Sequence, residues 1–178
     1  IVFFIGKKLF GQWEGLLAAL ICSIAPTEMF HRSLLAYPDN HIVEVFLMVL
    51  VILFIVYMLK SQRILWSILA GVSLGLYELN WHGFPFFLLV ICTWFLGSFF
   101  YKYFRKEPTF KLSSQVFTIL GISALMILPF LFWGTQLRFQ EVIVIGCMGL
   151  PIILWASSLI LKRPKYLLGL WIGVFIAG

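Results

Sequence analysis

The sequence predicts an all-α fold, a polytopic bundle of transmembrane helices with about six to seven spans in this chain. Three observations carry that expectation. First, apolar types make up 62% of the 178 residues and charged types 11%, with a mean hydropathy of +1.05. Ordinary soluble domains run at about 45–50% and about 25%, so a soluble globular domain, a disordered tail and a collagen-like fibre are excluded. Second, the apolar residues fall into successive runs close to the ~20 residues that cross a bilayer. Third, the basic residues collect in short clusters on alternate connections between those runs. Nineteen Phe, seven Trp and six Tyr suit lipid and its aromatic interface belts. A net charge of +6 would raise the question of nucleic acid in a soluble protein. Here it follows the pattern of membrane topology, and no nucleic-acid partner is expected.

The runs are taken in order. Gly11–Pro26 is the first, and Ile42–Leu59 is the clearest, with Glu44 as its only charge. Ile64–Asn80, Phe84–Tyr101, Ser114–Trp133 and Val142–Leu161 follow. Gly71, Gly75, Pro129 and Pro151 lie inside runs, where lipid-embedded helices tolerate them if neighbours satisfy the freed backbone groups. A seventh run, Tyr166–Gly178, has 13 residues, or about 20 Å of helix, short of the ~30 Å hydrocarbon core. Residues 1–5 are apolar but too few to span, and position 1 is Ile. Residues 1–178 are therefore expected to be a partial transmembrane domain cut inside a helix at both ends. The opening is no signal peptide, because Lys7-Lys8 follows the apolar stretch instead of preceding it.

Numbering the connections alternately sorts the charges. One side holds Lys7, Lys8, Lys60, Arg63, Lys102, Arg105, Lys106, Lys111, Lys162, Arg163 and Lys165, and the other only Arg32 and Arg138, 11 against 2. By the positive-inside rule the first side is cytoplasmic, which predicts an integral protein of the cell membrane. The opposite side carries all three histidines, His31, His41 and His82, and five of the seven acids, Glu28, Asp39, Glu44, Glu78 and Glu141. Any chemistry is therefore expected on the extracytoplasmic face. Glu44 and Glu78 sit inside the ends of spans, where an ionisable group is costly and faces a cavity or a partner. Cys22, Cys92 and Cys147 lie far apart inside apolar runs and read as small buried apolar residues.

One loop has chemical content. Thr27–Asn40 reads TEMFHRSLLAYPDN, and the next span opens HIVEVF. Asp39 and His41 stand two apart at a loop-to-helix junction, a spacing at which a carboxylate and an imidazole reach one divalent cation. Oxygen donors favour Mg²⁺ or Mn²⁺, and the imidazole tilts the choice toward Mn²⁺ or a later metal. An alternative stays open, since Asp before a helix is a common N-cap, although Ile42 stands where a capping box would place Glu or Gln. Arg32 is a candidate fork for a phosphate, or else an interfacial or acid-pairing Arg. His31 could donate to the same anion or simply sit at the interface. Glu44, one turn after His41, could orient the imidazole, ligate directly, or contact another helix. A second candidate place is the turn Glu78-Leu79-Asn80-Trp81-His82-Gly83, where Trp81 and His82 could lie near a substrate and Trp81 is equally read as a belt aromatic.

On these residues a resemblance enters. The stretch GKKLFGQWEGLLAALICSIAPTEMFHRSLLAYPDNHIVEVF resembles the catalytic subunit of the oligosaccharyltransferases of asparagine-linked glycosylation, archaeal and bacterial type. In that family a span ends in Pro, an external loop carries Arg, and seven residues later comes the second acidic metal motif, Asp-x-His in archaeal members, before a Glu-containing helix start. The counterparts here are Pro26, Arg32, Asp39-Asn40-His41 and Glu44. The resemblance implies a GT-C-type membrane domain with a soluble C-terminal domain beyond it. It implies transfer of a glycan from a polyprenyl phosphate or pyrophosphate carrier to Asn of an Asn-x-Ser/Thr acceptor polypeptide, with Mn²⁺ or Mg²⁺. By position, Asp39 and His41 would be metal ligands and Arg32 would lie near the lipid-linked phosphate. The family's first acidic motif and its later catalytic Glu have no counterpart between Ile1 and Gly178, so this chain alone is expected to be inactive. Two other readings stay in view. One is a different polyprenyl-phosphate-sugar glycosyltransferase, such as a protein mannosyltransferase. The other is a transporter or non-catalytic scaffold, which the almost purely apolar mid-spans disfavour.

Overall fold

The computed structural model describes residues 1–24, 41–80, 83–133 and 139–160. They form seven helices and, among the described residues, no strand: α1 Val2–Leu9, α2 Gln12–Ile24, α3 His41–Ser61, α4 Ile64–Asn80, α5 Phe84–Phe104, α6 Phe110–Trp133 and α7 Phe139–Ile160. In an apolar medium every backbone N–H and C=O must be satisfied within the chain, which leaves helices as the economical solution for runs this apolar. Ile42–Ser61, Phe84–Phe104 and Phe110–Pro129 are long and apolar enough to cross a membrane, the first with a mean hydropathy of 3.0. Gln12–Ile24, Ile64–Asn80 and Gly146–Leu159 are apolar but shorter.

The stretch before the first expected span, read in the sequence as part of a helix, is helical. The short stretch before Gly11 folds as α1 and turns back onto α2. Phe10 and Gly11 both donate their N–H groups to the Gly6 carbonyl, at 2.9 and 3.3 Å. Gly11 takes a φ of +151°, open to glycine and unfavourable for other residues. The two helices meet at Gly6 and Gly15, where a Cβ on Gly6 would lie 2.8 Å from the Gly15 Cα. The Gly-Gln-Trp-Glu-Gly run thus builds a tight hairpin.

The centre of the bundle is α4, which packs most extensively on α6 and on α3. Its buried residues include Ser67, Ala70, Gly71, Leu74, Gly75 and Glu78. Helices in lipid associate through close packing of small residues, and Gly71 and Gly75 serve that purpose. A Cβ on Gly71 would meet the Ile119 carbonyl at 2.8 Å and the Ile122 Cβ at 2.9 Å, and one on Gly75 would meet the Met126 sulfur at 2.6 Å. Around this contact Val51, Met58, Leu74, Leu88, Phe95, Phe99, Ile119 and Leu120 form a continuous buried core.

Two connections are fixed by left-handed residues. Gln62 (φ 57°) follows α3, donates its N–H to the Met58 carbonyl at 2.8 Å and caps the Leu59 carbonyl with its side-chain amide at 2.8 Å. Lys106 (φ 58°) follows α5 in a Schellman arrangement, with Glu107 N–H donating to Lys102 C=O at 2.9 Å and Lys106 N–H to Tyr103 C=O at 3.0 Å. Pro108 then prevents the helix from resuming.

The helix directions separate the charges as expected. Lys7, Lys8, Lys60 and Lys102 lie in the last turns of α1, α3 and α5. Lys8 sits 5.2 Å above the Tyr57 ring, which brings the ends of α1 and α3 together. Tyr57 and Phe54 flank Trp66, at 4.6 and 6.0 Å between ring centroids. This is the basic end of the bundle.

Candidate functional site

The opposite, acid-bearing end is built by the start of α3, the end of α4, the start of α5 and the start of α7. Helix α3 opens at His41, two residues after Asp39, and carries Glu44 in its first turn. A carboxylate there also complements the positive end of the helix dipole. Glu44 is only 8% exposed. It heads the buried stripe of α3 that continues through Leu47 and Val51, and its carboxyl lies close enough to the Tyr77 phenol of α4 for the two to interact. Tyr77 is fully buried and meets the Phe87 ring of α5 edge-on at 5.3 Å.

Glu78, the next residue along α4, points to the other side. It is 7% exposed, with Ser123 of α6 and Cys147 of α7 as neighbours. The Ser123 hydroxyl donates to the Leu120 carbonyl at 3.1 Å, and neither Glu78 oxygen has a hydrogen-bond partner among the described residues. The Cys147 thiol in turn adjoins the Cys92 thiol of α5. The end of α4 therefore delivers a phenol toward α3 and a carboxyl toward α6 and α7.

Both span-end acids singled out in the sequence are buried against partner helices. Of the candidate site residues, His41 is the first residue of α3. Asp39, Arg32 and His31 lie outside the described residues, as do Trp81 and His82. Among the described residues no three His, Cys, Asp or Glu side chains converge to hold a metal ion. Tyr77 and Ser123 were not singled out in the sequence, and Cys147 was read only as a small apolar residue. Ser123 and Cys147 looked like ordinary apolar-span residues, and only the pairing of α4 with α6 and α7 brings them to Glu78. One usable signal was present, the Gly71-x-x-x-Gly75 spacing that marks the α4 contact face.

Comparison with known proteins gives this end its context. The family model described as "Oligosaccharyl transferase STT3, N-terminal" matches residues 1–171. The chain belongs to that family. An STT3-family relative from Archaeoglobus fulgidus, dolichyl-phosphooligosaccharide-protein glycotransferase 3, is 25% identical over 143 residues, which is 74% of this chain and 16% of the relative. The dolichyl-monophosphooligosaccharide-protein glycotransferase AglB of Haloferax volcanii is 33% identical over 99 residues, 44% of this chain and 9% of the relative. The STT3-family chain thus spans a small part of the length of the curated relatives it matches. A crystal structure of the Archaeoglobus fulgidus oligosaccharyltransferase with Zn and sulfate shares the fold at a TM-score of 0.80 and 21% identity, over 98% of this chain and 26% of that one. The AglB of the same organism, in complex with an inhibitory peptide and a dolichol-phosphate, gives 0.79 at 20% identity, over 98% and 24%.

Proposed function

We propose that this chain is the part of an oligosaccharyltransferase that carries its second metal motif. The whole protein would transfer an oligosaccharide from a polyprenyl (pyro)phosphate carrier to Asn in Asn-x-Ser/Thr acceptors. The observation that carries the reading is the family match over residues 1–171, which takes in the Arg32, Asp39 and His41 constellation and the helix that begins at His41. The names of the relatives, with dolichol-phosphate and peptide bound in one of them, support a lipid-linked donor and a polypeptide acceptor.

The donor chemistry fits a hard divalent cation. Asp39 offers a carboxylate two residues before the His41 imidazole, at the start of a helix whose first turn also holds the buried Glu44. Asp39 and His41 would hold Mn²⁺ or Mg²⁺, and a relative's structure solved with Zn and sulfate supports a divalent cation in such a protein. When bound, the cation offsets the negative charge that develops on the departing phosphate. Arg32 would bind that phosphate by a two-pronged hydrogen bond, and His31 would add a donor. Glu44 would hold the start of α3 in place through its burial against α4. Trp81 and His82, at the neighbouring turn, would line the approach of the substrate. The 11-to-2 distribution of basic residues supports an extracytoplasmic position for this end, in the cell membrane.

The test uses the full-length protein, a lipid-linked oligosaccharide and an Asn-x-Thr peptide. Asp39→Ala and His41→Ala are each expected to lower transfer by roughly 10–100-fold or more and to raise the Mn²⁺ concentration needed for half-maximal rate. Unchanged metal dependence in both variants would remove them from the metal site.

A further inference from the structure

The basic end of the bundle holds a groove that the acid-end chemistry does not use. It lies between α6 and α7, has a volume of about 280 Å³, and is lined by Phe110, Phe117, Pro151, Ile152 and Trp155. The Phe110 and Trp155 rings face each other at 5.2 Å across one end. From there the α6 wall runs to Thr118, about 12 Å of helix, roughly the depth of one lipid leaflet's upper chain.

Charge separates it from an ordinary lipid-facing ridge. Lys111 is exposed in the first turn of α6, and Lys102, Arg105 and Lys106 precede it around the end of α5. Glu107 is the one acid in that stretch, and it lies 3.9 Å from Arg105. The first hydrogen bond onto this helix runs from Ser113 N–H to Thr109 C=O at 3.0 Å, so the N–H groups before it add positive potential at the mouth of the groove.

We propose that the groove between α6 and α7 binds an anionic phospholipid of the leaflet at the basic end. One acyl chain lies along Phe117, Ile152 and Trp155. The phosphate sits at the groove mouth near Lys111 and Lys106. A basic rim over an apolar interhelical groove is the recognition chemistry of anionic headgroups, and a zwitterionic lipid would satisfy the groove but not the rim.

The test is native mass spectrometry of the full-length protein, released from detergent and titrated with phosphatidylglycerol or phosphatidylcholine of the same chain length. Phosphatidylglycerol is expected to be retained in preference. The double variant Lys106→Gln, Lys111→Gln, both at the surface, is expected to lower that retention by about fivefold per charge and leave phosphatidylcholine unchanged. Quenching of tryptophan emission by brominated phosphatidylglycerol supplies the second readout, and Trp155→Phe should remove part of it. Three outcomes each overturn the proposal. The two lipids may be retained equally, the lysine variants may bind like the parent, or no lipid may reach Trp155 because another part of the full-length protein fills the groove.

Discussion

At the scale of single residues, the acids decide most. Glu78 is a carboxyl on a span helix without a hydrogen-bond partner among the described residues, and burying an ionised group in that setting is costly. The isosteric Glu78→Gln keeps the packing and removes the ionisable group. It is expected to leave thermal stability in detergent unchanged or to raise it by roughly 1–2 kcal/mol. A clear loss of stability in that variant would show that the carboxylate itself is wanted at this place. The sequence marked Glu44 and Glu78 correctly as groups needing a burial partner, because an acid inside an apolar run is conspicuous by itself. It could not show which partners. Tyr77 reaches Glu44 from another helix, 33 positions along the chain, and only the register of α3 on α4 creates that meeting. The readings of Asp39 and Arg32 fall on residues outside the described ones.

At the scale of elements, the boundaries of the apolar runs largely became the boundaries of the helices. Ile64–Asn80 matches α4 end for end, and α5 starts at Phe84 as the run does. At the beginning, the helix expected before Gly11 is α1, and what hydropathy does not give is how tightly it pairs with α2. The turn there depends on one glycine backbone, Gly11, and on the close approach of Gly6 and Gly15. Hydropathy weighs a glycine as neutral and cannot register what lies against it. The α4–α6 contact offers a quantitative check. A methyl at position 71 would strike the backbone of Ile119, which has nowhere to retreat, whereas one at position 75 would chiefly strike the flexible end of Met126. Gly71→Ala is therefore expected to cost about 1–3 kcal/mol, and Gly75→Ala noticeably less, as read by unfolding midpoints in mixed micelles. Equal losses at the two positions would mean that α4 and α6 do not meet as described.

At the scale of the whole molecule, the separation of charge and the alternation of helix direction agree. Lysines end α1, α3 and α5, while the acids Glu44 and Glu78 lie at the other end. Reporter fusions should follow the same division. A fusion at 105–108 is expected to report cytoplasm, and one at 134–138 the opposite compartment. The same compartment for both would dismantle the arrangement of spans. The alternation of helix direction was legible in the sequence because it follows the placement of a few charges. It did not reach the groove beside Trp155, which exists only where α6 and α7 lie side by side.

The turns at the basic end carry one more implication. Two residues join α3 to α4, and Gln62 is held there with its side chain locked to Leu59. So short a link transmits helical phase. One inserted residue, unless the turn absorbed it, would rotate α4 by about 100° and swing Gly71 away from Ile119. Length changes between members of this family should therefore be rare at that junction, and an insertion observed there in a relative should come with a rewritten small-residue face on the helix that follows.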